Sequence, residues 1–191
     1  DTRSNNPENT KVDALEGSPI WLVHPDPWML EKQSVDVWQL HSNWQDERLD
    51  DLTSILSNEE QLRAERYKFT RDRRWFIARR GVLRFLLSNY LKLPARQLEF
   101  ETSRFGKLAL GGAHTAGIAF NLSHSRGVVL YAFTCFPALG IDVESWRVDF
   151  DLIKLAERYF SRTEQETLKS LPEQDVVRGF YAGWTRKEAF I

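Results

Sequence analysis

The spacing of apolar residues changes along this chain, and each change marks a different kind of backbone. Residues 1–17 are polar and read as a loose segment, followed by a short apolar run, Ile20 to Val23, that fits a strand. Ser57 and Glu60 stand in the S-x-x-E arrangement of a capping box, so a helix is predicted from there to about Phe69. From Arg71 to Leu91 the residues Trp75, Ala78, Val82, Leu86 and Tyr90 recur three and four positions apart. That spacing draws one apolar stripe along a helix, which Pro94 ends.

Beyond Pro94 the period shortens. Leu98 to Ser103, Lys107 to Leu110, Gly117 to Leu122, Val128 to Thr134 and Leu139 to Glu144 are brief segments rich in β-branched or aromatic residues. Gly, Pro, Ser and Asn separate them, which predicts strands. Helical spacing returns near Asp151. Ser161 and Glu164 form a second capping box, and Val176, Phe180, Trp184 and Phe190 mark the inward side of a last helix. Helix, then clustered strands, then helix is an α+β arrangement. Trp184 to Ile191 reads as a helix in mid-course with no Gly, Pro or cap to stop it, so the chain is expected to be a piece of a longer one.

A length of 191 residues suits one domain or two small lobes that share a core. The aromatic share of 13%, with seven Trp, argues against a disordered chain. A formal net charge of −1 removes any global attraction to nucleic acid or an anionic membrane, so a basic site has to be local. Cys135 is the only cysteine, which excludes an internal disulfide or a Cys-based zinc site and fits a reducing, cytoplasmic setting. No apolar run approaches the about 20 residues of a membrane span, and Asp1 to Thr10 lacks the apolar core of a signal peptide.

Candidate chemistry begins at Leu139-Gly140-Ile141-Asp142-Val143-Glu144. On a strand Asp142 and Glu144 share one face, and two carboxylates beside a small residue suit a hard cation such as Mg²⁺. The same pattern also describes the wet edge of a half-buried strand. In Trp184-Thr185-Arg186-Lys187-Glu188-Ala189-Phe190-Ile191, Glu188 lies four residues from Trp184, on the apolar side of the helix, where a carboxylate needs a cation or a partner. Lys187 or Arg186 can supply that partner as an ordinary surface pair.

Phe120-Asn121-Leu122-Ser123-His124-Ser125 gathers amide, hydroxyl and imidazole groups in what reads as a turn after a strand. Such a turn can cradle phosphate oxygens, although a loop histidine is often only solvated. Arg104-Phe105-Gly106-Lys107 sets a lysine on a tight turn between two short strands. Arg63, Arg66, Arg71, Arg73, Arg74, Arg79, Arg80 and Arg84 crowd the helical region, where guanidinium groups suit phosphate binding or form a solvated face.

Taken together these motifs resemble, in order, those of the Sfp-type (group II) 4′-phosphopantetheinyl transferases. Gly106-Lys107 is similar to the first motif and Asn121-Leu122-Ser123-His124-Ser125 to the next. Gly140 to Glu144 and then Trp184 to Phe190 follow, and the resemblance runs from roughly Leu52 to the end. It includes Arg158-Tyr159-Phe160-Ser161, and the arginine-rich stretch looks most like the cyanobacterial members.

The resemblance implies two similar α+β lobes related by pseudo-twofold symmetry: 18–135 as the first, and 136–191 as the start of a second that is incomplete here. It implies Mg²⁺ held by Asp142, Glu144 and Glu188, with Glu188, Asp142 and Lys187 catalytic. Coenzyme A would be bound by Arg63, Thr102, Arg104, Phe105, Gly106, Lys107, Asn121, Leu122, Ser123 and His124. The implied reaction moves 4′-phosphopantetheine from coenzyme A to a serine of an acyl or peptidyl carrier protein, releasing adenosine 3′,5′-bisphosphate, and a monomer with no nucleic-acid or membrane partner is expected. The family's last motif ends in a second lysine that would fall immediately after Ile191, and its members continue with strands completing the second lobe. Two other functions use the same residues: a non-catalytic module binding coenzyme A or a carrier protein, and a Mg²⁺-dependent nucleotide pyrophosphohydrolase.

Overall fold

The computed structural model describes residues 28–42, 48–103, 106–112 and 117–190, so the loose segment and the strand expected at Ile20 to Val23 lie outside the described residues. The first element, β1 (Val35–His41), is absent from the predicted strands because its first half inverts the usual alternation before Trp38 and Leu40 restore it. Val35 and Val37 face solvent while Asp36 turns inward, where its carboxylate accepts from the Tyr90 hydroxyl at 2.7 Å. Three helices follow: α1 (Leu49–Ser54), α2 (Asn58–Glu65) and α3 (Thr70–Leu91).

The capping box at the start of α2 forms as expected, but the helix stops at Glu65, short of Phe69. Helix α3 matches its apolar stripe: Ala78, Val82, Leu86 and Tyr90 are buried. Lys92 closes it in a left-handed conformation (φ 55°), its N–H donating to the Ser88 carbonyl, and Pro94 two residues later prevents the helix from resuming.

Strands β2 (Phe100–Thr102) and β3 (Leu108–Leu110) form a small hairpin, and β4 (Ala119–Ser125) and β5 (Val128–Thr134) form a longer one. The turn of the second hairpin, Arg126 and Gly127, has φ 39° and 86°, the two positive values of the tight turn that matches strand twist. β1 joins on the far side, giving an antiparallel sheet of order β1-β5-β4. Asn121 to Ser125 is therefore strand, not the turn that the polar composition suggested. Leu139 to Glu144, predicted as a strand, is extended but joins no ladder among the described residues.

Helix α3 covers the sheet, and Leu83, Leu86 and Leu87 meet Val129, Tyr131 and Phe133 in the main core. Helices α4 (Leu152–Tyr159), α5 (Arg162–Lys169) and α6 (Glu173–Phe190) enclose a second, smaller core of Leu152, Ala156, Phe160, Leu168, Phe180 and Tyr181. The Ser161–Glu164 capping box opens α5 as predicted. Phe180 and Trp184 face this core, but Phe190 is 91% exposed, against expectation. Six residues beyond Trp184 is about 240° further round the helix, which carries Phe190 off the inward arc. Mixed helix and sheet make the fold α+β, and no described helix is long and apolar enough to cross a membrane.

Candidate functional site

Strand β4 positions most of the residues of interest. It ends the sheet, and the extended segment from Gly140 to Ser145 runs along it. Side chains, not backbone, make the rungs. Asn121 Oδ1 accepts from the Ile141 N–H (2.8 Å), Ser123 Oγ from Val143 (3.3 Å) and Ser125 Oγ from Ser145 (3.2 Å). The register is a constant twenty residues, and its step of two follows from the period of both partners.

The two hydroxyls also donate. Ser123 Oγ donates to Asp142 Oδ1 at 2.6 Å, and Ser125 Oγ to Glu144 Oε2 at 2.9 Å. The other oxygen of Asp142, Oδ2, is buried and has no hydrogen-bond partner. A buried anionic oxygen left unpaired is costly, so this atom fits a cation. The segment is pressed against the end of α6: a Cβ on Gly140 would stand 1.6 Å from the Ala189 carbonyl oxygen. Glu188, the residue before Ala189, is thus carried on the turn that abuts the carboxylate segment. Its side chain is exposed and not inward as Trp184 spacing suggested, although Lys187 and Ala189 on either side of it are half-buried. Among the described residues no three His, Cys, Asp or Glu side chains converge closely enough to hold a metal.

Lys187 points elsewhere. Its Nζ lies 2.8 Å from Glu164 Oε2 on α5 and 5.4 Å from the centre of the Phe160 ring. The Lys187 ammonium, followed by the Ser161 N–H and hydroxyl, holds the Glu164 carboxyl down to about 2. Lys187 therefore borders a groove of about 780 Å³ between α5 and α6, lined also by Leu168, Leu171 and Gly179.

On its cleft side β4 contributes Asn121, Leu122 and His124 to a cavity of about 430 Å³. Helix α2 contributes Arg63, α3 contributes Phe76, Arg79, Arg80 and Leu83, and the β2–β3 hairpin contributes Thr102, Gly106, Lys107 and Leu108. Arg63, Thr102, Gly106, Lys107, Asn121, Leu122 and His124 were thus singled out in the sequence and share one cleft. Arg104 and Phe105 lie outside the described residues. Ser123 does not line this cleft; its hydroxyl is committed to Asp142 and Val143.

The arginine cluster divides by environment. Arg84 is buried, donating to Glu60 Oε2 at 2.5 Å and to the carbonyls of Ala95 and Leu98, and it serves the fold. Arg66, Arg71 and Arg73 are exposed. Arg79 and Arg80 face the cleft with Arg79 Nε and Arg80 Nη1 buried and without hydrogen-bond partners. Burial lowers both guanidinium pKa values from their ordinary range, the Glu60 carboxylate, with Oε1 3.2 Å from Arg80 Nε, partly offsetting this for Arg80. Two desolvated cations with free N–H groups form a cleft made for an anion. Burial, and then the Arg79 charge, pushes the His124 imidazole below its ordinary 6.5, so near neutral pH it is uncharged.

Tyr67 and Phe76, which also line the cleft, went unnoticed in the sequence. The signal was available in part: Phe76, Arg79, Arg80 and Leu83 are spaced as one face of α3.

Comparison with known proteins gives two consistent matches. Residues 42–135 match the family model described as 4′-phosphopantetheinyl transferase, N-terminal, and residues 138–191 match that of the 4′-phosphopantetheinyl transferase superfamily. The 4′-phosphopantetheinyl transferase HetI of Nostoc is 38% identical over 172 residues, covering 90% of this chain and 73% of the relative. A putative 4′-phosphopantetheinyl transferase of Synechocystis is 33% identical over 72% of this chain. The 4′-phosphopantetheinyl transferase Sfp of Bacillus subtilis is 29% identical over 72% of it. The chain spans 56% of the Synechocystis protein and 59% of Sfp.

Proposed function

Because this chain belongs to the 4′-phosphopantetheinyl transferases, we propose that it moves the 4′-phosphopantetheine group of coenzyme A onto a serine of a carrier protein, in the presence of Mg²⁺. The observation that carries this reading is the pairing of two complementary features on one strand. The cleft beside β4 holds unpartnered guanidinium nitrogens of Arg79 and Arg80, and the segment along its edge holds the unpartnered carboxylate oxygen of Asp142.

In the proposed reaction Arg63, Arg79, Arg80 and Lys107 bind the phosphates of coenzyme A, with Thr102, Gly106, Asn121 and neutral His124 lining the same cleft. The resemblance alone assigns Arg104, Phe105 and Ser123 to coenzyme A. Asp142 and Glu144 would hold the divalent cation, with Glu188 as the third carboxylate of the set. When bound, such an ion neutralises charge on a pyrophosphate as it is cleaved. Glu188 accepts the proton of the carrier serine as its hydroxyl oxygen bonds to the phosphorus that bears pantetheine. The bond to the other phosphate breaks, adenosine 3′,5′-bisphosphate leaves, and the cleft arginines hold the released charge.

The exposed Glu188 and the engagement of Lys187 by Glu164 favour a second reading, in which the chain holds coenzyme A without turnover. One experiment separates the two. An apo carrier protein is incubated with coenzyme A, Mg²⁺ and the chain, and its mass is followed. Transfer adds the pantetheine phosphate to the carrier, and Asp142→Ala reduces the rate about 10²-fold or more. Transfer by the Asp142→Ala chain at the normal rate would refute the carboxylate assignment; coenzyme A binding with no carrier product would establish the second reading.

A further inference from the structure

We propose that Ser123 and Ser125 are positioning residues for the carboxylates, each tying down one oxygen of its partner and leaving the other free for a cation. This rests on the reading of Asp142 and Glu144 given above. The argument starts from direction. Each serine oxygen already accepts a backbone N–H, from Val143 or from Ser145, and lies within O–H donating distance of a carboxylate oxygen. Ser125 Oγ also lies 3.2 Å from Ser145 Oγ, whose hydroxyl can donate to it and leave the Ser125 O–H for Glu144. Amide, hydroxyl and carboxylate thus form a short chain in which each bond polarises the next. A hydroxyl bonded to an ionised carboxylate is among the stronger contacts a surface offers, and the 2.6 Å separation at Asp142 lies in the short range.

The third rung supplies an internal comparison. Asn121 holds the Ile141 N–H in the same register, but the residue preceding Ile141 is Gly140, which has no side chain to orient. Serine stands where a carboxylate precedes the rung, and the asparagine stands where none does. The ladder alone needs only acceptors. The O–H donors are the added feature, and at Asp142 the result is visible, because Oδ1 is held while buried Oδ2 has no partner.

The test measures metal binding, not transfer, in the full chain with Mn²⁺ as the probe and free ion followed by electron paramagnetic resonance. Removing an outer hydrogen-bond partner of a metal ligand typically weakens the metal by about 10–100-fold. Ser123→Ala and Ser125→Ala are expected to raise the Mn²⁺ dissociation constant within that range, while Ser→Thr at either position, keeping the hydroxyl, stays close to wild type. Asn121→Ala, which removes a rung and touches no carboxylate, is expected to have a clearly smaller effect. Unchanged affinity in both alanine variants, or an equal loss in Asn121→Ala, would overturn the proposal. An alanine variant that fails to fold is replaced by Ser→Cys, a near isostere with a weak donor, read against the same criteria. Asp142→Ala distinguishes the two levels: if it too binds Mn²⁺ normally, the metal reading itself falls.

Discussion

Gly140→Ala is the smallest change that bears on how the two halves meet. The added methyl carbon would lie 1.6 Å from the Ala189 carbonyl oxygen, where even a tight contact needs 3.0 Å, so the segment and the last turn of α6 must separate by about 1.4 Å. The obstacle is backbone and cannot rotate away. Forced overpacking of this kind typically costs about 1–3 kcal/mol. For a chain of this size that lowers the melting temperature by roughly 2–12 °C. The same opening moves Asp142 and Glu144 away from Glu188, and a displacement of about 1 Å in a reacting assembly is enough for about 10²-fold in rate. Two readouts are therefore expected to move together: a lower melting temperature by circular dichroism, and a carrier-modification rate reduced about 100-fold with folded protein confirmed at the assay temperature. A Gly140→Ala chain with wild-type rate and wild-type stability would show that the approach to Ala189 positions nothing.

Glu60→Ala leaves Arg84, whose side chain is only 3% exposed, without its carboxylate, and also removes half of the capping box of α2. Breaking a buried pair on one side costs about 3–5 kcal/mol, measurable by urea denaturation. A single-variant loss below about 1 kcal/mol would show that the pair behaves as a surface pair. His124 gives a pH signature. Its folded pKa lies below the ordinary 6.5, first through burial and then through Arg79, so the unfolded chain takes up its proton first as pH falls. The associated stability is intact above about 6.5 and is lost on acidification below it, and in His124→Gln the slope of stability against pH becomes shallower there. An unaltered slope would remove this group from the balance.

The parts of the fold that were legible in the sequence are those decided locally. Both capping boxes, Ser57–Glu60 and Ser161–Glu164, need only residues three apart, and the stripe of α3 needs only its own period. β1 was hidden because its inward polar residue, Asp36, is satisfied by Tyr90, fifty-four residues away. The Leu139 to Glu144 segment reads as a strand in the sequence because alternation looks the same whether backbone or side chains hold it, and only the three-dimensional neighbour tells them apart.

The cleft was partly readable for the same reason. Lys107, His124 and Arg63 could be picked out by type, but which arginines face the cleft depends on Glu60, whose Oε2 draws Arg84 inward while its Oε1, 3.2 Å from Arg80 Nε, holds Arg80 at the cleft wall beside Arg79. The direction of Lys187 depends likewise on Glu164 on another helix, which no spacing within α6 encodes.

Backbone ladders are blind to side-chain identity, so most strand edges tolerate almost any substitution without changing who pairs with whom. The edge of β4 is different, since its three rungs exist only through an amide and two hydroxyls. A point mutation there can loosen one joint without unzipping a sheet. The join between the halves is thus tunable one residue at a time, an opening for drift or engineering that a conventional strand pair does not offer.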